Sequence, residues 1–80
     1  MWCVYILKSD TSNWHYLGST NDLVRRLSEH NSGKVKSTKG YKPLRVVFSQ
    51  TFASEIEARQ YEKYLKHSRI AKESIIRSIR

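Results

Sequence analysis

The chain has 80 residues, of which 39% are hydrophobic, and 15 lysines and arginines against 7 acidic residues give it a net charge of +8. This length fits one small domain over residues 1–80, and no apolar run approaches the roughly 18 residues of a membrane span. The charge predicts a polyanionic partner, most commonly nucleic acid, although a solubilising surface or a ribosome-associated protein without chemistry would also carry it.

The single cysteine and the first residues of the chain indicate the cellular compartment of the protein. Cys3 is the only cysteine, so it cannot form an internal disulfide, and its apolar neighbours predict a small core residue. Met1 leads directly into a strand-like segment without the charged stretch that begins a signal peptide. We therefore expect a cytoplasmic protein without membrane association, and a monomer by default.

The predicted elements begin with a hairpin. Residues 2–8 and 14–18 are rich in β-forming residues, and turn formers at 9–13 separate them. A short polar connection between two strands favours antiparallel pairing. Such a hairpin brings Tyr5 and Tyr16 close together, on one face of the sheet if the register allows it.

A helix is predicted from Asn21 to Asn31, with Thr20 or Asn21 as its N-cap and Gly33 as its C-terminal stop.

Two polar side chains border the apolar stripe of this helix. Leu23 and Leu27 form the stripe, and Arg26 and His30 lie one turn apart beside it. Arg25 points to the far side of the helix. Arg26 is therefore the arginine that could enter a cleft beside the sheet.

A basic loop at 33–43 precedes a third strand at 44–52. The loop holds Thr38 among four lysines, which are Lys34, Lys36, Lys39 and Lys42. It is either a solvated connector or an arm that tracks phosphates. Along the strand, three apolar residues alternate with Arg45, Val47 and Ser49: Leu44, Val46 and Phe48.

A second helix is predicted from about residue 54 to 66, where Ser54 and Glu57 fit a capping box. Its apolar face also carries Glu62, which shares a sector with Ala58, Tyr61 and Leu65. Because burying an unpaired carboxylate is costly, Glu62 either has a structural cationic partner or marks a functional site.

A third helix, from about residue 69 to 79, follows Ser68 as its cap, and Ile75 and Ile79 are expected to pack it onto the domain. The fold class is therefore α+β, with a three-stranded antiparallel sheet flanked by about three helices.

The order of these elements resembles the GIY-YIG nuclease domain over essentially the whole chain, closest to its small stand-alone bacterial branch. The matching residues are Val4-Tyr5-Ile6-Leu7, Tyr16-Leu17-Gly18-Ser19-Thr20, the run from Asp22 to Gly33, Thr38, and Glu57-Ala58 followed by Glu62 and Lys66. The departures from the family signature are Cys3 for glycine, Val4 and Leu17 for isoleucines, and no clear match to the asparagine found late in some longer members.

The resemblance implies a role for each matched residue. Tyr5 and Tyr16 correspond to the family's two tyrosines, Arg26 and His30 to the residues on the first helix, and Glu62 to the metal-binding glutamate. A tyrosine can act as a base only if nearby cations lower its pKa from about 10, and which tyrosine does so stays open. His30 could relay that proton or orient the tyrosine, and Arg26 offers a planar fork to phosphate.

We therefore expect a Mg²⁺-dependent endonuclease, with Mn²⁺ as a substitute, because one carboxylate with phosphate oxygens and waters suits Mg²⁺. The expected substrate is DNA rather than RNA, in repair or recombination. The residues expected to contact it are Arg25, Lys34, Lys36, Thr38, Lys39 and Lys66. Two alternatives are a catalytically weak or inactive nucleic-acid-binding module, and an interaction domain whose basic face docks on a partner nuclease or the ribosome.

Overall fold

Three strands form one antiparallel sheet in the order β2–β1–β3, as the α+β prediction requires. A computed structural model describes residues 1–79. The elements are β1 (Trp2–Ser9), β2 (His15–Thr20), α1 (Leu23–Asn31), a short 3₁₀ helix (Lys39–Tyr41), β3 (Leu44–Phe52), α2 (Glu55–His67) and α3 (Arg69–Ser78). Within this described part, no helix is both long enough and apolar enough to cross a membrane.

The central strand β1 is covered on both faces, because its side chains alternate between two cores. On one face Val4 and Ile6 pack with residues of α2 and α3. On the other face Tyr5 and Leu7 pack with residues of α1. We call these the α2/α3 face and the α1 face.

A β-bulge in β3 distributes its apolar side chains over both faces. The register between β1 and β3 shifts between Ile6 and Leu7 and leaves Val47 outside the pairing. Simple alternation predicts Val46 and Phe48 on one face, whereas Val46 packs on the α1 face and Phe48 on the α2/α3 face. The prediction for Phe48 was wrong because the extra residue of a bulge reverses the pleat beyond it.

Helix α1 begins two residues later than predicted. Its N-cap is Asp22, whose carboxylate accepts a hydrogen bond from the Arg25 N–H at 3.1 Å, and not Thr20 or Asn21. Thr20 still belongs to β2, and its hydroxyl accepts from the Asp22 N–H at 3.1 Å. Gly33 follows the end of the helix with φ of 83°, a conformation that favours glycine, so the predicted stop is confirmed.

The caps of α2 and α3 are Ser54 and Ser68, as predicted, and each hydroxyl accepts an N–H from three residues further along. Ile75 packs against the core of the α2/α3 face. Ile79 packs less than predicted and is 36% exposed, because α3 ends at Ser78 and the side chain lies at the margin of the core.

Two side chains fix the long loop between α1 and β3. The Asn31 carboxamide accepts from the Leu44 N–H at 2.6 Å and donates to the Leu44 carbonyl at 2.9 Å. The Ser9 hydroxyl donates to the Tyr41 carbonyl at 2.7 Å. The second half of the basic loop is therefore tied to the sheet.

Candidate active site

Tyr5 lies across the edge strand β2, directly over a glycine. β1 pairs Tyr5 with Gly18, and a Cβ added to Gly18 would lie 2.7 Å from the Tyr5 hydroxyl and 3.1 Å from the Tyr16 ring. Any larger residue at this position would collide with the phenol. The glycine thus allows the two tyrosine rings to meet on the α1 face, with centroids 6.4 Å apart.

A chain of hydrogen bonds leads from Tyr5 into the core. The Tyr5 hydroxyl is 3.0 Å from His30 Nε2, and His30 Nδ1 is 2.8 Å from Thr38 Oγ1. The Thr38 hydroxyl donates to the Val35 carbonyl at 3.3 Å. Because a carbonyl only accepts, all three bonds are kept when Nδ1–H donates to Thr38 and the Tyr5 O–H donates to Nε2. His30 is then a neutral imidazole whose acceptor nitrogen faces Tyr5.

Thr38 does not lie where the sequence prediction places it. The prediction has it contact nucleic acid, whereas its side chain is fully buried beneath the basic loop. Its hydroxyl faces His30 because the short 3₁₀ helix, with a Tyr41 N–H bond to the Thr38 carbonyl at 3.0 Å, folds the chain over it. No sequence pattern distinguishes this threonine from an exposed one in a lysine-rich loop.

Burial controls the protonation of the two hydrogen-bonded rings. Burial raises the pKa of Tyr5 to about 12, and the hydrogen bond and positive charge of Arg26 oppose only part of that rise. Burial, assisted by the charge of Arg26, lowers the pKa of His30. At neutral pH the phenol therefore keeps its proton while Nε2 of the imidazole is able to receive one.

Arg26 lies beside the Tyr5 phenol with its guanidinium partly exposed. Its Nη1 donates to Glu29 at 3.0 Å, and its side chain is 35% exposed. A guanidinium has five N–H donors, so this ion pair leaves donors for an anion at the mouth of the site. Arg25 lies on the solvent side of α1, where its guanidinium is 3.4 Å from the Asn21 side-chain oxygen.

Glu62 reaches β2 from the α2/α3 face. Its Oε1 accepts from the Ser19 hydroxyl at 2.5 Å, and its Oε2 pairs with Lys66 Nζ at 2.7 Å. The salt bridge left open by the sequence is therefore present, and the carboxylate is 17% exposed beside a lysine that is 53% exposed. Sequence reasoning missed Ser19, because the pairing joins two elements that are 43 residues apart.

The edge strand is where the two faces meet. Side chains of successive strand residues point to opposite faces, so Tyr5 lies over Gly18 on one side while Glu62 binds Ser19 on the other. After burial, the negative charge of Glu62 is one of the smaller causes that raise the pKa of Tyr5. Residues from both faces therefore converge on one short stretch of β2.

Glu62 would be the protein ligand of a bound metal ion. Among residues 1–79, no three His, Cys, Asp or Glu side chains come together in a way that could hold a metal ion. A cation at Glu62 would take one carboxylate and fill its other positions with waters and phosphate oxygens, which Mg²⁺ accepts and a structural Zn²⁺ site does not. The donor chemistry fits Mg²⁺.

The predicted nucleic-acid contacts lie at the surface, except for Thr38. The exposed residues of this set are Arg25, Lys34, Lys36, Lys39 and Lys66. Lys66 lies next to the site through Glu62, whereas Lys34, Lys36 and Lys39 belong to the basic loop that covers His30 and Thr38. The arrangement places exposed positive charge around the part of the molecule that contains the Tyr5 phenol, the Arg26 guanidinium and the Glu62 carboxylate.

This combination of a buried Tyr–His pair, an arginine and a lone carboxylate around an edge strand is suited to phosphodiester hydrolysis. The model of the GIY-YIG catalytic domain matches residues 1–73. The chain belongs to the GIY-YIG family, whose domain is a nuclease fold.

Its relatives are small bacterial proteins. The UPF0213 protein YazA of Bacillus subtilis is 41% identical over 63 residues, which cover 78% of this chain and 63% of that protein. The UPF0213 protein BH0048 of Halalkalibacterium halodurans is 43% identical over 75 residues, or 91% and 79% of the two chains. The solution NMR structure of the UPF0213 protein BH0048 from Bacillus halodurans aligns with all of this chain and 86% of its own, with a TM-score of 0.57 and 36% identity. The chain thus spans just under two thirds of YazA.

Proposed function

We propose that this chain is a Mg²⁺-dependent endonuclease that hydrolyses phosphodiester bonds in DNA, in repair or recombination, with RNA as the second substrate to test. The observation that carries the proposal is the hydrogen-bonded chain from Tyr5 through His30 to Thr38, with Arg26 against the phenol and Glu62 across the edge strand. Family membership supports the reaction class, and the net charge of +8 supports a polyanionic substrate.

In the proposed reaction Tyr5 takes a proton from the attacking water while its own proton moves to His30. A free phenolate is unfavourable, because burial raises the pKa of Tyr5 to about 12. Transfer of the phenol proton to Nε2, 3.0 Å away, avoids that species. The imidazolium keeps its Nδ1–H bond to Thr38, and the negative charge that gathers on the phosphate offsets its positive charge.

Arg26 binds the phosphate beside Tyr5. The ion pair with Glu29 holds the guanidinium in place, and its remaining donors suit two phosphate oxygens at once. Its charge stabilises the phosphorane-like transition state. The Tyr16 ring, 5.0 Å from the His30 ring and edge-on to it, forms the wall that keeps the imidazole in position.

Glu62 is the residue that would hold Mg²⁺. When bound, the ion supplies Lewis acidity to the phosphate and to the leaving oxygen. The Ser19 hydroxyl orients one oxygen of the carboxylate. Lys66 is exposed enough to move from the other oxygen onto a phosphate, so the ion pair and the catalytic role are compatible.

The test is a panel of labelled DNA and RNA single strands, duplexes, nicked duplexes and branched structures, incubated with Mg²⁺, Mn²⁺ or a chelator. Cleavage is expected only with a divalent cation. Glu62→Gln should abolish it and keep binding, since a carboxamide oxygen can still accept from Ser19. Glu62→Gln also removes the ion pair with Lys66. Because Lys66 is half exposed, we expect this variant to lose no more than about 1 kcal/mol of its free energy of unfolding.

Glu55→Gln is the matched control, because Glu55 forms an equivalent ion pair with Arg59 on the surface of the same helix. It should cut at the wild-type rate. A Glu62→Gln protein that also cuts at that rate would remove Glu62 from the chemistry and overturn the assigned mechanism.

A second function, a nucleic-acid-binding module without cleavage, is favoured by two observations. Both carboxylate oxygens of Glu62 already have partners, and the Tyr5 pKa lies well above neutrality. Binding with a steep dependence on salt, together with no cleavage of any substrate under either cation, would establish this function instead.

A further inference from the structure

A row of aromatic rings leads from the surface of the basic loop to the candidate site. We propose that the outer end of this row, the stacked pair of Trp14 and Tyr41, binds an unpaired base of the nucleic acid. The inference rests on the proposed function and specifies its substrate class, which is a strand that is single-stranded close to the cut.

The rings form a continuous path. The Trp14 and Tyr41 rings are parallel within 6°, with centroids 3.8 Å apart. Trp14 lies 6.2 Å from Tyr16, which lies 6.4 Å from Tyr5 and 5.0 Å from His30. A base stacked at Tyr41 would therefore lie at the outer end of a row that passes Trp14 and Tyr16 and ends at the buried Tyr5.

Backbone hydrogen bonds of Tyr41 anchor the loop. Its N–H donates to the Thr38 carbonyl at 3.0 Å, and its carbonyl accepts from the Ser9 hydroxyl at 2.7 Å. The side chain remains 36% exposed. An aromatic ring on a backbone that is already fixed presents a flat apolar surface that loses little entropy on binding, which is the kind of surface on which bases stack.

Positive charge borders the stack. Lys39 and Lys42 flank Tyr41 in the chain and are both exposed. Trp14 also lines an open cleft of about 370 Å³ that contains Lys72 together with the ion pair of Arg69 and Glu73. Aromatic rings for bases together with cations for phosphates are the composition of sites that bind single strands. In a duplex the faces of the bases are covered by their neighbours, so the stack distinguishes unpaired from paired strands.

Tryptophan fluorescence tests the proposal directly. The chain has two tryptophans, so Trp2→Phe leaves Trp14 as the only one. Titration with oligothymidylate, oligouridylate and a duplex, without divalent cations, separates binding from cleavage. We expect quenching of Trp14 by the single strands and little by the duplex, and the first two probes compare DNA with RNA.

Three substitutions measure the contribution of the outer ring. Tyr41→Leu should weaken single-strand binding about tenfold, the effect of losing one base–aromatic stack, and leave duplex binding unchanged. Tyr41→Phe keeps the ring and should bind within about twofold of wild type on the same basis. The matched control is Tyr64→Leu, at an exposed tyrosine whose ring lies 6.1 Å from that of Tyr61 on α2, and it should change neither affinity.

The outcomes distinguish a failure of the stacking site from a failure of the proposed nuclease function. Unchanged single-strand affinity in a folded Tyr41→Leu protein, or equal quenching by duplex and single strands, would overturn the stacking site while cleavage persists. Absence of quenching in Trp2→Phe would overturn it even if Tyr41→Leu failed to fold. A wild-type protein that neither binds nor cuts any nucleic acid would instead overturn the proposed function.

Discussion

The two faces of the sheet bury different kinds of side chain. The core of the α2/α3 face is apolar and consists of Val4, Ile6, Leu17, Ala58 and Leu65. The α1 face buries Leu7 and Leu44 together with Tyr5, and the hydrogen-bonded His30 and Thr38 lie beside them. Apolar contacts are non-directional, whereas a hydrogen-bonded chain requires each atom in its place. Apart from Glu62, which meets the edge strand from the α2/α3 side, the first face should therefore govern stability, and the second should govern activity.

A tyrosine-to-phenylalanine substitution on each face should give the largest expected difference in cleavage rate. Tyr5→Phe removes the proposed base and should lower the cleavage rate by about 10²- to 10⁴-fold. Tyr61→Phe removes a hydroxyl from the partly buried tyrosine on the α2/α3 face and should cut at nearly the wild-type rate. Single-turnover cleavage measures both, and equal losses in the two variants would contradict the division between the faces.

Removal of apolar volume from the α2/α3 core should lower stability and leave the cleavage rate unchanged. Leu65 is fully buried in the α2/α3 core, so Leu65→Ala should lower the free energy of unfolding by about 2–5 kcal/mol. The rate per folded molecule should stay close to wild type. Urea denaturation gives the stability, and cleavage at low temperature, corrected for the folded fraction, gives the rate. A large fall in that corrected rate would show that the two faces are coupled.

A smaller effect is expected where the polar chain ends. Thr38→Val keeps the shape but leaves the buried His30 Nδ1–H without an acceptor, which costs about 1–3 kcal/mol. Because the imidazole then loses its fixed orientation, we expect cleavage to fall by roughly tenfold, a small part of a general-base contribution. Thr38→Ser should restore both quantities. If Thr38→Val matched wild type, the hydroxyl would have no part in orienting His30.

The mildest test uses pH. Burial lowers the pKa of His30, so below the unfolded value of about 6.5 the unfolded chain binds a proton that the folded chain does not. Stability should be constant above that pH and fall on acidification through it. His30→Gln should flatten this dependence, and His67→Gln, at the exposed end of α2, should not. Denaturation midpoints from neutral to mildly acidic pH provide the measurement.

Much of the fold could be predicted because local signals determine it. Strand-forming runs, serine caps and Gly33 place the elements to within a few residues, and the α+β class follows from their order. The β-bulge at Val47 could not be predicted, because it arises from how β3 fits β1 and not from its own residues. The cap of α1 was misassigned because Thr20, Asn21 and Asp22 are all suitable capping residues.

The candidate site was only partly accessible from the sequence. The resemblance named Tyr5, Tyr16, Arg26, His30 and Glu62, and the structure brings these residues around one stretch of β2. The partners that orient them depend on contacts between distant segments. Ser19 meets Glu62, and Thr38 reaches His30 beneath the loop, through pairings that no periodicity encodes. Their catalytic roles stay predictions until the variants are measured.

The bidentate bond between Asn31 and Leu44 has a consequence for how this chain can vary in length. Together with the bond from Ser9 to Tyr41, it closes the connection between α1 and β3 independently of the exposed Lys34. The entropy cost of lengthening a closed loop grows slowly, so insertions between Lys34 and Val35 should be tolerated. Insertions between Val35 and Thr38 would instead break the turn in which the Thr38 N–H and hydroxyl donate to the Val35 carbonyl. Evolution or design could therefore change how far the loop reaches over a bound strand without moving the imidazole beneath it.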